Sequence, residues 1–295
     1  MNTYCISCCS TVDLTPERMR ARELRYVCFK FMLDGVEYPD DMGVTMPSEE
    51  LFHRMENGAE TKTSQVSAME YVEHFESMLK EGKDILHVTL SSGLSGTYNS
   101  ACVAKEELAQ KYPGRKIYIV DSLGASSGYG LLVDTLADMR DAGKTVDELY
   151  EWAVENRLRM HHWFFSTDLT YYIRGGRISK TAGFIGTVLN ICPLLNMDRG
   201  GHLAPREKIR GKRQVIKKIV AKMALYAEKK ADYNGKCFLS HSLCIEDAKA
   251  VAAMVEEQFP CLQGKVEIFP IGTTIGSHTG PGTVALFFWG DKRED

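Results

Sequence analysis

Residues able to hold a small polar group are concentrated in a few short stretches. The stretch 271-IGTTIGSHTGPGTVALFFWG-290 sets one histidine, His278, among glycines and a proline, ahead of a plain apolar strand. Glycine permits positive φ and lets backbone approach a ligand closely. The imidazole would then act as a donor in a loop with Gly276, Thr279 and Gly280. A tight turn carrying a solvated histidine is the plain alternative. A second stretch, 91-SSGLSGT-97, lies between an apolar strand and an alanine-rich helix. Its amides and hydroxyls, beginning with Ser91, Ser92 and Gly93, would meet an anion at a helix N-terminus, where backbone N–H groups lack partners and the dipole is positive. Capping by Ser95 or Thr97 explains the same composition. An esterase elbow needs G-x-S-x-G, and here Ser95 is followed by Gly96 and Thr97, which misplaces the second glycine.

Three more stretches qualify. In 61-TKTSQVS-67, read as a loop leading into a helix that starts near Ser67, Ser67 has capping-box spacing to Glu70, but capping does not account for Thr63 and Ser64. In 173-IRGGRIS-179, Arg174 and Arg177 could grip a carboxylate or phosphate, or simply face solvent around a Gly-Gly turn. In 205-PREKIRGKRQVIKK-218, the cations Arg206, Lys208, Arg210, Lys212, Arg213, Lys217 and Lys218 oppose Glu207 alone. That run reads as a nucleic-acid patch, a docking face for an acidic partner, or a solvated helix face.

Other chemistries lack their residues. His161 and His162 are adjacent, with no H-E-x-x-H or carboxylate cluster, so no metal is expected. There is no G-x-x-x-x-G-K-[ST], and the first strand–helix turn lacks the dinucleotide fingerprint, so no cofactor is expected. Cys5 and Cys8 form a single C-x-x-C without a second pair, and on a strand they would point to opposite faces. The nine cysteines therefore read as reduced thiols in a cytoplasmic protein. The net charge of −3 argues against nucleic acid, and no stretch reaches the roughly 18 apolar residues of a membrane span.

The elements that must position these residues alternate. Strands at 85–91, 116–122 and 162–168 are separated by helical patterns at 98–112, from 130 to about 144, and at 146–158, which implies βαβ units and a parallel sheet. Ligands of such sheets sit at the carboxyl ends of the strands, where 91-SSGLSGT-97 and 123-LGASSGYG-130 both fall. From about residue 166 the pattern changes to a mixed one. An apolar helix is expected at 181–191, a basic helix at 212–230, and strands at 193–199, 236–242, 265–272 and 283–290. The chain thus reads as α/β with two domains. Residues 1–165 form an α/β/α domain with a parallel sheet, and residues 166–295 a second α/β domain with a mixed sheet.

Thr-Ser-Gln-x-Ser from Thr63, Ser-Ser-Gly-Leu-Ser-Gly-Thr from Ser91, Gly-Gly-Arg-Ile-Ser from Gly175, Lys-x-Arg-Gly from Lys208 and Ile-Gly-x-His-Thr-Gly-Pro-Gly from Ile275 occur in this order in the DegV family, which the chain resembles over nearly its whole length. The resemblance implies a two-domain α/β protein that binds lipid. It is similar to the fatty-acid-binding subunits of bacterial fatty acid kinase, which bury an acyl chain and offer its carboxylate to a separate kinase subunit that makes an acyl phosphate. On that resemblance Thr63, Ser92 and His278 would hold the carboxylate. Family members usually open on a strand ending in Asp-Ser-Thr. Here Cys9-Ser10-Thr11 stands instead, and 15–41 is longer and more charged.

The expected function is therefore binding of a long-chain fatty acid by a non-catalytic subunit whose partner is the kinase catalytic subunit. Burying a methylene is worth about 0.8 kcal/mol, ample for a long chain even after binding costs. Phe184, Ile185, Val188 and Leu189 offer apolar wall material, and Arg210, with Arg174 and Arg177, would meet the partner or the transferring phosphoryl group. A hydrolase using Ser92 or Ser95 with His278 as base stands as the rival.

Overall fold

The computed structural model describes residues 3–179 and 190–294. The first strand, β1 (Tyr4–Cys9), is entirely buried and is followed by the short helix α1 (Pro16–Ala21) and the strand β2 (Arg25–Val27). A hairpin of β3 (Lys30–Leu33) and β4 (Val36–Pro39) leads through α2 (Ser48–Glu56) to β5 (Thr61–Ser64). Then come α3 (Ala68–Lys80), β6 (Asp84–Thr89), α4 (Thr97–Lys111), β7 (Ile117–Asp121), α5 (Ser126–Asp141) and α6 (Val146–Asn156). The second half runs β8 (Met160–Ser166), α7 (Thr170–Arg174), β9 (Ile191–Met197), β10 (Leu203–Arg210), α8 (Lys212–Tyr226), β11 (Cys237–His241), α9 (Ile245–Gln258), β12 (Val266–Pro270), α10 (Thr273–Thr279) and β13 (Thr283–Trp289).

Both expected sheets are present. A parallel sheet has the order β2-β1-β6-β7, and a mixed sheet has the order β10-β9-β8-β13-β11-β12. Helix α5 lies between them, touching β1 on one side and β8, β11 and β13 on the other. Two of its glycines make this possible. A Cβ on Gly128 would run into His162 and Phe287 of the mixed sheet, and one on Gly130 would stand 2.6 Å from the Val12 carbonyl on the parallel side. Helices α8 and α9 cover the mixed sheet from its other side. The expected capping box is formed: Ser67 Oγ accepts from Glu70 N–H, and the Glu70 carboxylate accepts from Ser67 N–H.

Four expectations are corrected. The strand read at 162–168 does not continue the parallel series; β8 pairs antiparallel with β13 and with β9 in the mixed sheet. The segment 61–67 is not a plain loop. Its first residues form β5, which pairs antiparallel with β3 and sets Thr63 opposite Phe31 in a third, small sheet. The cations at 206–210 lie on a strand, β10, rather than a helix. The glycine-rich stretch around His278 is helical, with His278 in the last turn of α10. Phe184, Ile185, Val188 and Leu189, the proposed acyl wall, lie outside the described residues.

Candidate functional site

A cavity of about 500 Å³ lies between the loops that follow β6 and β7 and one face of the mixed sheet. Strand alternation builds its wall. Phe164 on β8 faces Ala285 on β13, and His162 faces Phe287, so one pleat face lines the cavity while Trp163 and Leu286 point the other way. Leu90, Tyr172, Met197 and Ile271 complete an apolar body.

Polar side chains share this lining. Thr63 reaches in from β5, Ser92 from the turn before α4 and His278 from α10, and all three line the cavity. Thr63 Oγ1 and His278 Nε2 are 2.7 Å apart, a direct hydrogen bond between residues far apart in the chain. His278 Nδ1 is buried and has no partner among the described residues. Burial, helped by the nearby Arg177 guanidinium, pushes the His278 pKa down to about 4, so the ring is neutral at pH 7. The ring fits because residue 175 is glycine: a Cβ there would run into Nδ1. Ser92 is exposed, and its backbone N–H donates to Asp121 Oδ1 at 3.1 Å. Ser95 and Gly96, where α4 begins, also line the cavity.

The remaining expected residues divide. Thr279 and Arg177 line the cavity. Arg177 is half-buried, and its donors go to carbonyls: Nη1 to Gly175 O at 2.6 Å, and Nε and Nη2 to Leu94 O at 3.3 and 3.1 Å. It holds two loops together at the cavity wall. Ser91 is fully buried and points away, its hydroxyl donating to Gly201 O at 2.8 Å. Gly93 packs against the carbonyls of Gly200 and Gly201, Gly276 against the Phe52 ring and Gly280, at φ 64°, against the Tyr171 ring. Ser64 is exposed at the end of β5 and does not line the cavity. Arg174 is exposed, its guanidinium 5.7 Å from the Tyr171 ring centroid, and Arg210 is exposed at the end of β10. The sequence reading missed Asp121, whose Oδ1 accepts from both Ser92 N–H and Leu123 N–H at 3.1 Å. Its signal was available: an acidic residue at the carboxyl end of a strand in a parallel sheet.

Chemically, this is a largely apolar pocket whose wall also carries hydroxyls, neutral imidazole, one cation and residues at a helix N-terminus. Such a lining suits an apolar ligand with an anionic or polar head group. It does not assemble a nucleophile and base. His278 Nε2 meets Thr63, no hydrogen bond joins His278 to Ser92 or Ser95 among the described residues, and Ser95 Oγ accepts from Thr97 N–H at 3.3 Å. The hydrolase reading is therefore not carried forward. Among the described residues no His, Cys, Asp or Glu group could hold a metal ion, and no helix is long and apolar enough to cross a membrane.

The family model described as "Uncharacterised protein, DegV family" matches residues 8–291. A DegV domain-containing protein of Clostridium perfringens is 37% identical over 294 residues, covering 100% of both chains. Among solved structures, a DegV lipid-binding protein from Thermotoga maritima is similar at a TM-score of 0.84 and 26% identity, covering 100% of each chain. A fatty-acid-binding DegV family protein from Thermus thermophilus is similar at a TM-score of 0.85 and 26% identity, covering 98% of this chain and 99% of the other.

Proposed function

The chain belongs to the DegV family, and on that premise we propose that it binds a long-chain fatty acid, with the acyl chain in the cavity and the carboxylate at Thr63, Ser92 and His278. The observation that carries this reading is the cavity itself: a largely apolar wall that also carries a threonine, a serine and a histidine from three separate segments, the threonine and histidine in direct contact. The Thermus thermophilus relative binds fatty acid and the Thermotoga maritima relative binds lipid, which supports the same class of ligand here. A neutral imidazole and two hydroxyls can satisfy a carboxylate without a buried ion pair, and the Arg177 charge favours the anion from a short distance. Purified protein is therefore expected to yield a long-chain fatty acid on organic extraction and mass spectrometry. Protein that carries none, and takes up none when offered it, would sink the reading.

The chain acts, on this reading, in the cytoplasm as a carrier without catalytic groups of its own, presenting the carboxylate to a separate kinase subunit that forms the acyl phosphate. Strand β10 supplies a docking face. Arg206, Lys208 and Arg210 alternate along it and are all exposed, while Glu207 on the other face is paired with Lys218 and Lys222. Arg210 has no partner among the described residues, so its guanidinium is free for an acidic surface or a phosphoryl group. Arg210→Ala is expected to leave fatty-acid affinity nearly unchanged and to lower acyl-phosphate formation by a matched kinase subunit severalfold, the loss being largest at low salt and shrinking as salt screens the contact. Normal turnover in the variant, or loss of lipid binding together with turnover, would rule out this role.

A further inference from the structure

The loop that carries Ser92 is held from the other half of the molecule. Ser91, beside it, is 0% exposed. Its hydroxyl accepts from Gly93 N–H at 3.1 Å and donates to Gly201 O at 2.8 Å, in the turn between β9 and β10. Three backbones meet there with no room for side chains. A Cβ on Gly93 would stand 2.7 Å from Gly201 O and 2.8 Å from Gly200 O, and one on Gly201 would run into Ser91 Oγ. Asp121 fixes the Ser92 N–H from below, and Arg177 fixes Leu94 O from the side. Of these contacts, only the Ser91 hydroxyl both closes the local turn and ties it across to the mixed sheet.

We propose that Ser91 is a positioning residue, tying the Ser92 loop to the β9–β10 turn and so setting where the Ser92 hydroxyl stands against the ligand's carboxylate. This rests on the fatty-acid reading of the cavity. It makes the mixed-sheet half a part of the head-group site through a contact that never touches ligand. It also places the root of the basic strand β10 directly on that site.

The test measures binding of a long-chain fatty acid and of its methyl ester, which has the same chain but no charge, to Ser91→Ala, Ser92→Ala and the double variant. Ser91→Ala is expected to weaken fatty-acid binding on the order of tenfold, about the worth of one hydrogen bond to a charged group, and ester binding far less. In the Ser92→Ala background, adding Ser91→Ala should have almost no further effect, because Ser91 acts through Ser92. Gly201→Ala attacks the same contact from the other side, at φ 74°, and should cost the same carboxylate preference. Equal losses for acid and ester, or an undiminished Ser91→Ala effect in the Ser92→Ala background, would overturn the positioning role alone. Unchanged fatty-acid affinity in Ser92→Ala by itself would instead remove the carboxylate assignment on which the proposal stands.

Discussion

His278→Ala is expected to lower long-chain fatty-acid affinity by roughly ten- to a hundredfold, the range of one hydrogen bond to a charged group, while leaving the fold intact. The imidazole lies in the last turn of α10, hydrogen-bonded to Thr63 at 2.7 Å, with Nδ1 buried and unpartnered among the described residues. Removing it takes away the ring itself and the hydrogen bond that orients the Thr63 hydroxyl. A carboxylate left there would keep Ser92 and a Thr63 hydroxyl that the ring no longer orients. Because burial holds the ring neutral, with a pKa of about 4, affinity should change little between pH 6 and pH 8 from this group. Equilibrium binding beside a thermal unfolding curve separates the site from the scaffold. Unchanged affinity in His278→Ala would rule out its place at the head group, and a collapse of the unfolding midpoint would assign it to structure instead.

Local signals carried the parts of this site that are local. The Ser67–Glu70 box is written in four consecutive residues, and the structure forms it. The 91–97 turn announces itself as small residues between a buried strand and a helix, and it sits at the carboxyl end of β6 as the parallel-sheet reading requires. What failed depends on partners distant in the chain. Thr63 lies on a four-residue strand whose existence rests on pairing with β3, within a segment that resembled nothing regular. The pairing of β8 could not be read locally either, because a fully buried strand looks the same beside parallel or antiparallel neighbours. The glycines near His278 suggested a loop, yet Gly276 is helical and is small because the Phe52 ring lies against it. The strand at 206–210 was legible and misread. Arg206, Lys208 and Arg210 recur with period two, which belongs to a strand and not to a helix.

Acidification is expected to destabilise the protein steeply between pH 7 and pH 5, and the cause is buried histidine. His74, His161 and His278 have pKa values pushed down to about 4, chiefly by burial, and burial drives those of His87 and His162 well below the ordinary value. Unfolded histidine titrates near 6.5, so between about pH 6.5 and pH 4 the unfolded chain binds protons that the folded chain refuses. Stability is therefore whole above pH 6.5 and lost as the pH falls toward 4. Each such group contributes up to about 1.4 kcal/mol per pH unit, or on the order of 2 kcal/mol by pH 5. The buried carboxyls act the other way. Asp13 and Asp40 are raised by burial, Asp40 while accepting from Ser10 and Thr273, so they favour the folded state as the pH falls, but they are two against six, since burial lowers His241 as well. The histidines are held too firmly to escape cheaply. His162 is wedged under Gly124 and Gly128, with Nε2 accepting from Ala125 N–H and Nδ1 donating to Met160 O. His161 is stacked between Tyr226 and Phe288, with Nε2 donating to Asp291 O. Denaturant unfolding from pH 7 to pH 5 should give a stability slope of several protons. His161→Phe, which keeps the stack, should flatten that slope by up to one proton whatever it does to absolute stability. A flat profile, or a slope unmoved by the substitution, would mean that these rings reach water and take up their protons without unfolding.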